Sequence, residues 1–382
     1  LIRKDGREAT GQKVMASNDP SAVWAQVKQI INPKSNRSIV LSENGVEVDD
    51  DERVANLFNE FFINKVKKIR NNIDVNLKED PIQRLAKKMK DATHTLQLKP
   101  VSEAEVARAI RSLKPKKSCG FDGVSQALLK SMSSVVALPL QQIINASIRS
   151  GTFPESWKES KTIPIFKKGD PMLASNYRPV ACLPAASKVL ESVVLGQISS
   201  YFEKLNLLPL QQHGFRAGRS TTTAIASMVS EWTRAHEKGL STGILLWDLS
   251  SAFDTIDVDL LCSKLGLYGV AERTVGWFRS FLTNRKQRVQ VGSSTSEPKT
   301  VSIGCPQGSL LSPLLFLIYV ADLELWVRDS VVSGYADDTA TFVSDESDDT
   351  VIHKLEADAK RILGFMASNF LSANADKTGF LF

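Results

Sequence analysis

Residues 331–343 read Val-Val-Ser-Gly-Tyr-Ala-Asp-Asp-Thr-Ala-Thr-Phe-Val, two β-rich runs on either side of a short turn. This pattern predicts a β-hairpin whose turn carries the adjacent carboxylates Asp337 and Asp338. Turn chemistry is one explanation of the pair, because Asp tolerates tight turns. Both acids also lie directly against apolar strands, where two like charges repel each other and raise their pKa values unless a cation neutralises them. Since no Cys or His is near them, oxygen ligation favours Mg²⁺ over zinc.

A third carboxylate ends an apolar run upstream of the hairpin. Residues 243–248 read Gly-Ile-Leu-Leu-Trp-Asp and predict a buried strand that stops at Asp248, with residues 249–257 continuing into a helix. An acid at this position is also a common helix N-cap. Together with Asp337 and Asp338, Asp248 completes a set of three carboxylates able to hold two Mg²⁺ ions. An in-line phosphoryl displacement uses such a pair of ions.

Three sequence blocks in this order resemble the signature of one enzyme family. They are Asp-Leu-Ser-Ser-Ala-Phe-Asp at 248–254, Gly-Cys-Pro-Gln-Gly-Ser at 304–309 and Tyr-Ala-Asp-Asp at 335–338. From about residue 113 to its end, the chain resembles the reverse transcriptases of non-LTR, LINE-type retrotransposons, and the jockey-like ones most. The resemblance implies RNA-directed DNA synthesis, with Asp248, Asp337 and Asp338 as catalytic residues that hold two Mg²⁺ ions.

Paired cations follow a predicted strand near residues 162–170. The strand delivers Lys167 and Lys168 to a turn, and Arg178 comes a short loop later. Converging cations suit the tail of a nucleoside triphosphate, while a surface hairpin with unpaired lysines explains the residues equally well. In related polymerases this segment is the fingers hairpin. The resemblance therefore implies that Arg178, with Lys167 or Lys168, binds the incoming triphosphate.

Two residues that follow Asp248 in the first block also have implied roles. The resemblance implies that the Phe253 ring lies beneath the nucleotide sugar and excludes a 2′-hydroxyl, which selects deoxynucleotides. The alternative is a core aromatic on a helical face shared with Ala252 and Ile256. By the same resemblance, Leu249 offers its backbone carbonyl to the metal that binds the triphosphate.

The second block precedes a predicted apolar helix over residues 310–321. Its glycines permit the backbone to approach a base pair closely. The resemblance implies that Gln307 hydrogen-bonds the nucleotide sugar and that Gly308 leaves room for it. Cys305 and Ser312 replace a valine and a glycine of the family, and both are small enough to preserve function.

Template contacts are implied for a basic loop at residues 212–221. Arg216 and Arg219 lie there among glycines, just before a predicted helix, and helix N-termini bind phosphate well. The family uses this segment near the template strand, and the resemblance also places Tyr335 beside template or primer. We interpret His213 in the same loop as a packing or turn residue.

Lys377 lies in a segment at 371–378 that resembles the Leu-Asn-x-x-Lys-Thr block of the family. The resemblance makes it the candidate that protonates the departing pyrophosphate. The competing interpretation is an exposed loop lysine without a catalytic role.

The charge distribution is uneven along the chain. Residues 1–150 contain 25 Lys and Arg against 17 Asp and Glu, and residues 151–382 contain 23 against 25. A basic first part suits a polyanionic partner, although solvated basic faces are common. Four widely spaced cysteines without a CxxC pair favour a reducing, intracellular setting, and the resemblance implies cytoplasm and nucleus. The longest apolar run is too short to span a bilayer, so no membrane partner is expected.

Helical signals dominate the first part of the chain. We expect residues 1–50 to be loosely ordered, with one short helical face at Trp24, Val27, Ile30 and Ile31. An apolar stripe between residues 54 and 69 has the i, i+3, i+4 spacing of an amphipathic helix, which we interpret as core packing. Ser-Glu-Ala-Glu at 102–105 has capping-box spacing and predicts the start of another helix.

These observations predict an α+β fold. Residues 113–382 should form the fingers and palm of a right-hand polymerase, with an antiparallel palm sheet backed by helices and the fingers within about residues 113–235. Residues 1–112 should form a basic, largely helical extension, and the thumb should be absent or truncated. The expected partners are an RNA template, a DNA primer and dNTPs. Two alternatives are an RNA-dependent RNA polymerase and a catalytically incompetent retrotransposon fragment that only binds nucleic acid.

Overall fold

The computed structural model describes residues 39–382. The helical face predicted around Trp24, Val27, Ile30 and Ile31 lies outside the described residues. Across residues 39–382 the chain is a mixture of helices and predominantly antiparallel sheets, two of them large and one a small hairpin. This mixed architecture confirms the coarse fold class predicted from the sequence.

Most of the helices pack around one large apolar core. The predicted capping box is confirmed, since the Ser102 side chain and the Glu105 side chain each accept from the other's backbone N–H. In the described part of the chain the helices are α1 (Asp51–Asn71), α2 (Gln83–Lys88), α3 (Glu103–Ser112), α4 (Gln126–Ser131), α5 (Ser133–Ser150), α6 (Ala185–Lys204), α7 (Thr221–Glu237), α8 (Val258–Leu267), α9 (Glu272–Leu282), α10 (Ser312–Val320) and α11 (Asp348–Ser368).

The strands alternate with the helices along the chain. Those of residues 39–382 are β1 (Leu41–Glu43), β2 (Val46–Val48), β3 (Glu159–Phe166), β4 (Tyr177–Cys182), β5 (Ser241–Trp247), β6 (Arg285–Val291), β7 (Ser294–Thr295), β8 (Lys299–Val301), β9 (Val331–Tyr335), β10 (Asp338–Asp345) and β11 (Gly379–Leu381).

One sheet carries all three predicted catalytic acids. Its order is β11-β5-β10-β9, and every neighbouring pair is antiparallel. The predicted hairpin is confirmed, because β9 and β10 pair from Asp338↔Tyr335 onward and leave two residues in the turn. Helix α11 packs on β5 and β10, while α7 packs on β5 and β9. Two helices therefore support the sheet that carries the acids.

The second sheet carries the predicted cationic hairpin. Its order is β4-β3-β6-β7, with β8 also paired to β6. Strands β3 and β4 form the antiparallel hairpin expected from the sequence, whereas β3 and β6 run parallel. The parallel pairing joins strands that are more than a hundred residues apart, so short-range sequence patterns do not reveal it.

Helix α1 packs directly on this second sheet. Val54, Phe58 and Phe62 are buried from it, and they join Val289 and Val291 of β6 in a separate apolar cluster. The interpretation of the 54–69 stripe as core packing is thus confirmed. Residues 51–71 share a core with strands beyond residue 280, although the predicted boundary at residue 112 remains a prediction.

The prediction of a helix over residues 249–257 was wrong. These residues form turns, and α8 begins only at Val258, with the Asp257 side chain capping it through the Leu260 N–H. Ser251 has a φ of 53°, which is incompatible with a continuous right-handed helix. The turn is also tied to a distant segment, since the Ser250 N–H donates to the Ser372 carbonyl. Tertiary contacts here outweigh the local helical spacing.

No helix within residues 39–382 has both the length and the apolar character required to cross a lipid bilayer.

Candidate active site

Asp248 and Asp338 lie at the same end of two paired strands. Trp247, the last residue of β5, is in register with Thr339 of β10, so the next step along the register brings Asp248 to Asp338. The buried Trp247 indole N–H donates to the Thr341 hydroxyl at 3.0 Å, which fastens the two strands just before the acids. We call residues 335–338 the carboxylate turn. All three predicted acids thus lie at this end of the sheet.

Asp248 is held by two residues of the segment that precedes β11. Lys377 Nζ lies 3.1 Å and 3.0 Å from its two carboxylate oxygens. Asn374 Nδ2 donates to the same carboxylate at 2.9 Å, and the Asn374 N–H donates to the Asp248 carbonyl at 2.8 Å. Burial opposes ionisation, but the hydrogen bonds from Lys377 and Asn374 bring the pKa of Asp248 below its usual value. Lys377 is therefore a direct partner of a predicted catalytic acid.

Asp338 has the opposite electrostatic character. Partial burial raises its pKa first, and the nearby negative charges of Asp337 and Asp248 raise it further. These three carboxylates provide the hard oxygen donors that a divalent cation prefers, and their repulsion favours neutralisation by such an ion. They are not gathered around one point, since within residues 39–382 no group of three His, Cys, Asp or Glu side chains is close enough to hold a metal. The carboxylate oxygens are donors that suit a divalent cation. In this structure the Asp248 carboxylate is paired with the Lys377 ammonium group.

The cationic hairpin faces these acids. Lys167 follows β3, and its N–H donates to the Asn176 carbonyl at 2.8 Å, while Arg178 of β4 is in register with Ile165 of β3. The pKa of Lys167 is lowered chiefly by Arg178, then by slight desolvation and by the charges of Lys377, Lys168 and Lys65.

Lys167 also acts on Asp248, because its charge is one of those that lower the pKa of that carboxyl. Among the described residues, Lys65, Lys167, Lys168 and Arg178 form no ion pair with a carboxylate. The exposed cations of the β3–β4 hairpin, with Lys65 of α1 near them, therefore come close to Asp248 through Lys167. Such an arrangement suits a polyanion bound between them.

The sequence match covers both sides of this arrangement. A family model described as reverse transcriptase (RNA-dependent DNA polymerase) matches residues 165–382, from the end of β3 to the last residue of the chain. The chain belongs to the reverse transcriptase family. The family generally uses divalent metal ions and acts with a nucleic acid template, a primer and dNTPs, which agrees with the carboxylates and cations described above.

Curated relatives of the chain include proteins of Drosophila retrotransposons. It is 31% identical over 292 residues to the probable RNA-directed DNA polymerase from transposon BS of Drosophila melanogaster, a match that covers 74% of the chain and 32% of the relative. It is also 31% identical over 250 residues to the RNA-directed DNA polymerase from mobile element jockey of Drosophila funebris, covering 63% of the chain and 27% of the relative. The chain thus spans about a third of the length of these relatives.

Phe253 follows Asp248 in the chain and packs within a group of aromatic rings. Its ring is partly buried against the main core, with centroids 4.8 Å from Phe316 and 6.2 Å from Phe215. Leu249 forms an isolated bridge with Ala373, which closes the turn after Asp248. The helical face predicted for the alternative interpretation of Phe253 is absent, since this stretch is a turn. The sugar-contact role of Phe253 and the metal-contact role of Leu249 stay predictions.

Gln307 and Gly308 have protein partners that the sequence did not reveal. Gln307 Nε2 donates to Asp254 Oδ1 at 2.8 Å, and burial raises the pKa of Asp254. Gly308 has a φ of 78°, and a Cβ there would lie 2.8 Å from the Ala181 carbonyl oxygen. Gly308 is thus required by the contact of its loop with β4. Contacts of either residue with a nucleotide stay predictions.

Arg216 and Arg219 are engaged within their own loop. Arg216 binds both carboxylate oxygens of Glu203 and the Pro209 carbonyl, and its side chain is only 5% exposed. Arg219 donates to the carbonyls of Leu210 and Gln212. The Arg216 guanidinium and Nη1 of Arg219 thus brace the loop, and the contact of either arginine with template phosphates stays a prediction.

His213 and Tyr335 occupy contrasting positions. His213 is buried and its Nδ1 lies 2.9 Å from the Thr223 hydroxyl, as expected of a packing residue. Tyr335 is 36% exposed at the edge of the carboxylate turn. Its predicted contact with template or primer stays a prediction.

Two buried polar residues of this region were missed by sequence reasoning. Glu191 of α6 is fully buried and accepts from the Ser309 hydroxyl at 2.6 Å and the Leu310 N–H at 2.7 Å, which fixes the loop of Gln307. A lone acid on the apolar face of a helix is the signal that could have found it. Gln212 binds the carboxylate turn from the loop before α7, and no sequence signal marks it.

Proposed function

We propose that this chain is the polymerase part of an RNA-directed DNA polymerase of a non-LTR retrotransposon. It would add deoxynucleotides to the 3′-hydroxyl of a DNA primer on an RNA template. One observation carries the proposal: the exposed cations of the hairpin come near the acids, since Lys167 lies close enough to Asp248 for its charge to favour ionisation of that carboxyl. A triphosphate between them would meet positive charge along its tail and the acids at its α-phosphate.

In this proposal the β11-β5-β10-β9 sheet is the palm, and the β3–β4 hairpin belongs to the fingers. Asp248, Asp337 and Asp338 would hold two Mg²⁺ ions. When bound, such ions activate the attacking hydroxyl and stabilise the charge on the leaving oxygen. Burial raises the pKa of Asp338, and the charges of Asp337 and Asp248 raise it further; ion binding would relieve this repulsion, which supports the assignment.

The reaction is a nucleotidyl transfer. The primer 3′-oxygen forms a bond to the α-phosphorus and loses its proton, while the bond from that phosphorus to the bridging oxygen breaks and pyrophosphate leaves. Arg178, Lys167 and Lys168 would bind the β- and γ-phosphates. Lys377, which pairs with Asp248 and whose charge acts on Lys167, would give a proton to the pyrophosphate.

Phe253 supports a DNA polymerase over an RNA polymerase. Its partly buried ring follows Asp248 in the chain and is backed by Phe316, and in this proposal it would oppose a 2′-hydroxyl. We further propose that the protein acts in the cytoplasm and nucleus, where its RNA template and DNA target are found.

Primer extension on an RNA template in Mg²⁺ tests the proposal. Asp248→Asn and Asp337→Asn should each lower the extension rate by at least about a hundredfold while the fold survives, because each removes charge from the site. Asp338→Asn should lower it less. Asp349→Asn, the same change on the exposed first turn of α11, is the matched control and should extend normally. Near-normal extension by either of the first two variants would overturn the assignment.

A further inference from the structure

Gln212 connects the loop before α7 to the carboxylate turn. The residue is 8% exposed, and its Oε1 accepts the Ala336 N–H at 3.0 Å and the Gly214 N–H at 2.8 Å. Its Nε2 lies 3.4 Å from the Ala336 carbonyl oxygen. One buried amide thus reaches both backbone polar groups of the residue that immediately precedes Asp337.

The backbones of the two segments are also joined. The His213 N–H donates to the Gly334 carbonyl at 2.8 Å, and the Gly334 N–H donates to the Gln211 carbonyl at 3.0 Å. The approach is so close that a Cβ on Gly214 would lie 2.1 Å from the Ala336 nitrogen. A Cβ on Gly334 would lie 2.6 Å from Gln212 Nε2. The loop and the turn therefore form one interlocked unit.

Ala336 needs such support more than an ordinary turn residue. Its φ of 62° lies in the left-handed region, which is costly for a residue with a Cβ. It is also buried, so its N–H and carbonyl require partners within the protein. Gln212 supplies both, and the conformation of Ala336 determines the direction in which Asp337 and Asp338 leave the turn.

We propose that Gln212 is a positioning residue that holds the carboxylate turn in the conformation required for phosphoryl transfer. Its Oε1 is the essential atom, because it accepts the Ala336 N–H. This gives the segment at 212–221 a role in supporting the acids, in addition to the template role predicted from the sequence. The kinetic part of the inference rests on the proposed polymerase activity, while the structural part does not.

Hydrogen exchange tests the structural part on the full chain. In Gln212→Met the Ala336 N–H loses its acceptor, so exchange in a peptide spanning residues 333–340 should rise about tenfold. Gln212→Glu keeps an acceptor oxygen and should retain most of the protection. Gln211→Met is the matched control, because it removes only the side-chain contact with the Ser227 hydroxyl and keeps the backbone pairing. Urea unfolding of each variant separates this local opening from a loss of the whole fold.

Steady-state kinetics test the functional part. Gln212→Met should lower kcat about tenfold or more and raise the Mg²⁺ concentration needed for half-maximal rate. The KM for dNTP should change little, because Lys167 and Arg178 do not contact Gln212. If Gln212 only stabilised the fold, the activity of every variant would fall in proportion to its loss of stability in urea. Such a role would not lower kcat while leaving the KM for dNTP unchanged.

The outcomes separate the two proposals. If the wild-type chain extends primers but Gln212→Met exchanges and reacts like Gln211→Met, the positioning role is refuted. If the wild-type chain does not extend primers, the polymerase proposal fails, and the exchange comparison still decides whether Gln212 holds the turn. Increased exchange in Gln212→Met together with protection in Gln212→Glu would establish the contact.

Discussion

Lys377 Nζ lies 3.0 Å from one carboxylate oxygen of Asp248 and 3.1 Å from the other. The same ammonium group is one of the charges that lower the pKa of Lys167. Lys377 therefore neutralises a predicted metal ligand and belongs to the cations around the proposed triphosphate site. A divalent ion that binds Asp248 must share or displace this contact.

Substitution of Lys377 should distinguish charge from proton transfer. Lys377→Met should lower the primer-extension rate by at least about a hundredfold if the lysine protonates pyrophosphate. Lys377→Arg keeps the positive charge beside Asp248 but holds its proton too tightly to donate it, so its rate should fall almost as far. Rates measured at saturating dNTP check this. Full activity of the arginine variant would show that Lys377 acts only through its charge.

Phe253→Val should relax sugar selection. The smaller side chain removes the ring that would oppose a 2′-hydroxyl, so use of ribonucleotides relative to deoxynucleotides should rise on the order of a hundredfold. Deoxynucleotide addition should fall much less, because Arg178 and the acids are unchanged. Single-nucleotide extension with dNTP and NTP measures the ratio. An unchanged ratio would make Phe253 a packing residue and favour the RNA-polymerase alternative.

Local signals were sufficient to predict the platform of the site. The alternation of residues 331–343 predicted the hairpin, the apolar run before Asp248 predicted β5, and the capping box at Ser102 predicted α3. Each of these depends on neighbours within a few residues. The helix predicted over 249–257 failed because its apolar spacing fits a turn as well, and the distant Ser372 carbonyl decided between the two.

Partners from distant segments could not be predicted. Nothing in the sequence pairs Gln212 with Ala336 or Gln307 with Asp254. A side chain that hydrogen-bonds a distant segment leaves no periodic pattern from which its partner could be predicted. Resemblance indicated Lys377 as a functional residue, but its contact with Asp248 depends on how β11 pairs with β5. The sequence therefore predicted which residues belong to the site. The structure was needed to tell residues placed for chemistry from residues that hold others in position.

Asp358 provides a prediction about pH. Its fully buried carboxylate accepts the N–H groups of Arg328, Asp329 and Ser330, which lead into β9, and it also pairs with Arg361. Burial opposes ionisation, but these donors lower the pKa of Asp358 to about 2. A carboxylate whose folded pKa is depressed stabilises the fold above its unfolded pKa, and that contribution is lost as pH falls toward the folded value.

Asp358→Asn should therefore lower the free energy of unfolding at pH 7 by about 1–2 kcal/mol. The difference from wild type should shrink once the pH falls below about 4, the unfolded pKa of Asp. Urea unfolding at a series of pH values measures it, with Asp349→Asn as the exposed control. A difference that stays constant with pH would show that the charge of Asp358 contributes nothing.

Phe58 joins the first described helix to the cationic hairpin. It is fully buried, and its ring centroid lies 4.8 Å from that of Tyr177, the residue before Arg178, in an edge-to-face arrangement. Its ring also stacks on Phe62 at 5.7 Å. If this contact supports the hairpin, a substitution in α1 that removes it should weaken the binding of the triphosphate.

Phe58→Ala should lower the free energy of unfolding by about 3–5 kcal/mol, the cost of a large cavity in a packed core. At a temperature where the variant is folded, its KM for dNTP should rise severalfold, because Tyr177 and Arg178 lose their backing, while kcat changes less. Phe61→Ala is the matched control, since Phe61 is partly buried and its ring contact is with Phe62 rather than Tyr177. If Phe58→Ala loses stability but binds dNTP as the control does, α1 stabilises the fold without positioning the cations. A rise in the KM for dNTP that occurs only in Phe58→Ala would show that α1 supports the nucleotide site. Helix α1 would then serve the polymerase domain although it precedes the predicted boundary at residue 112.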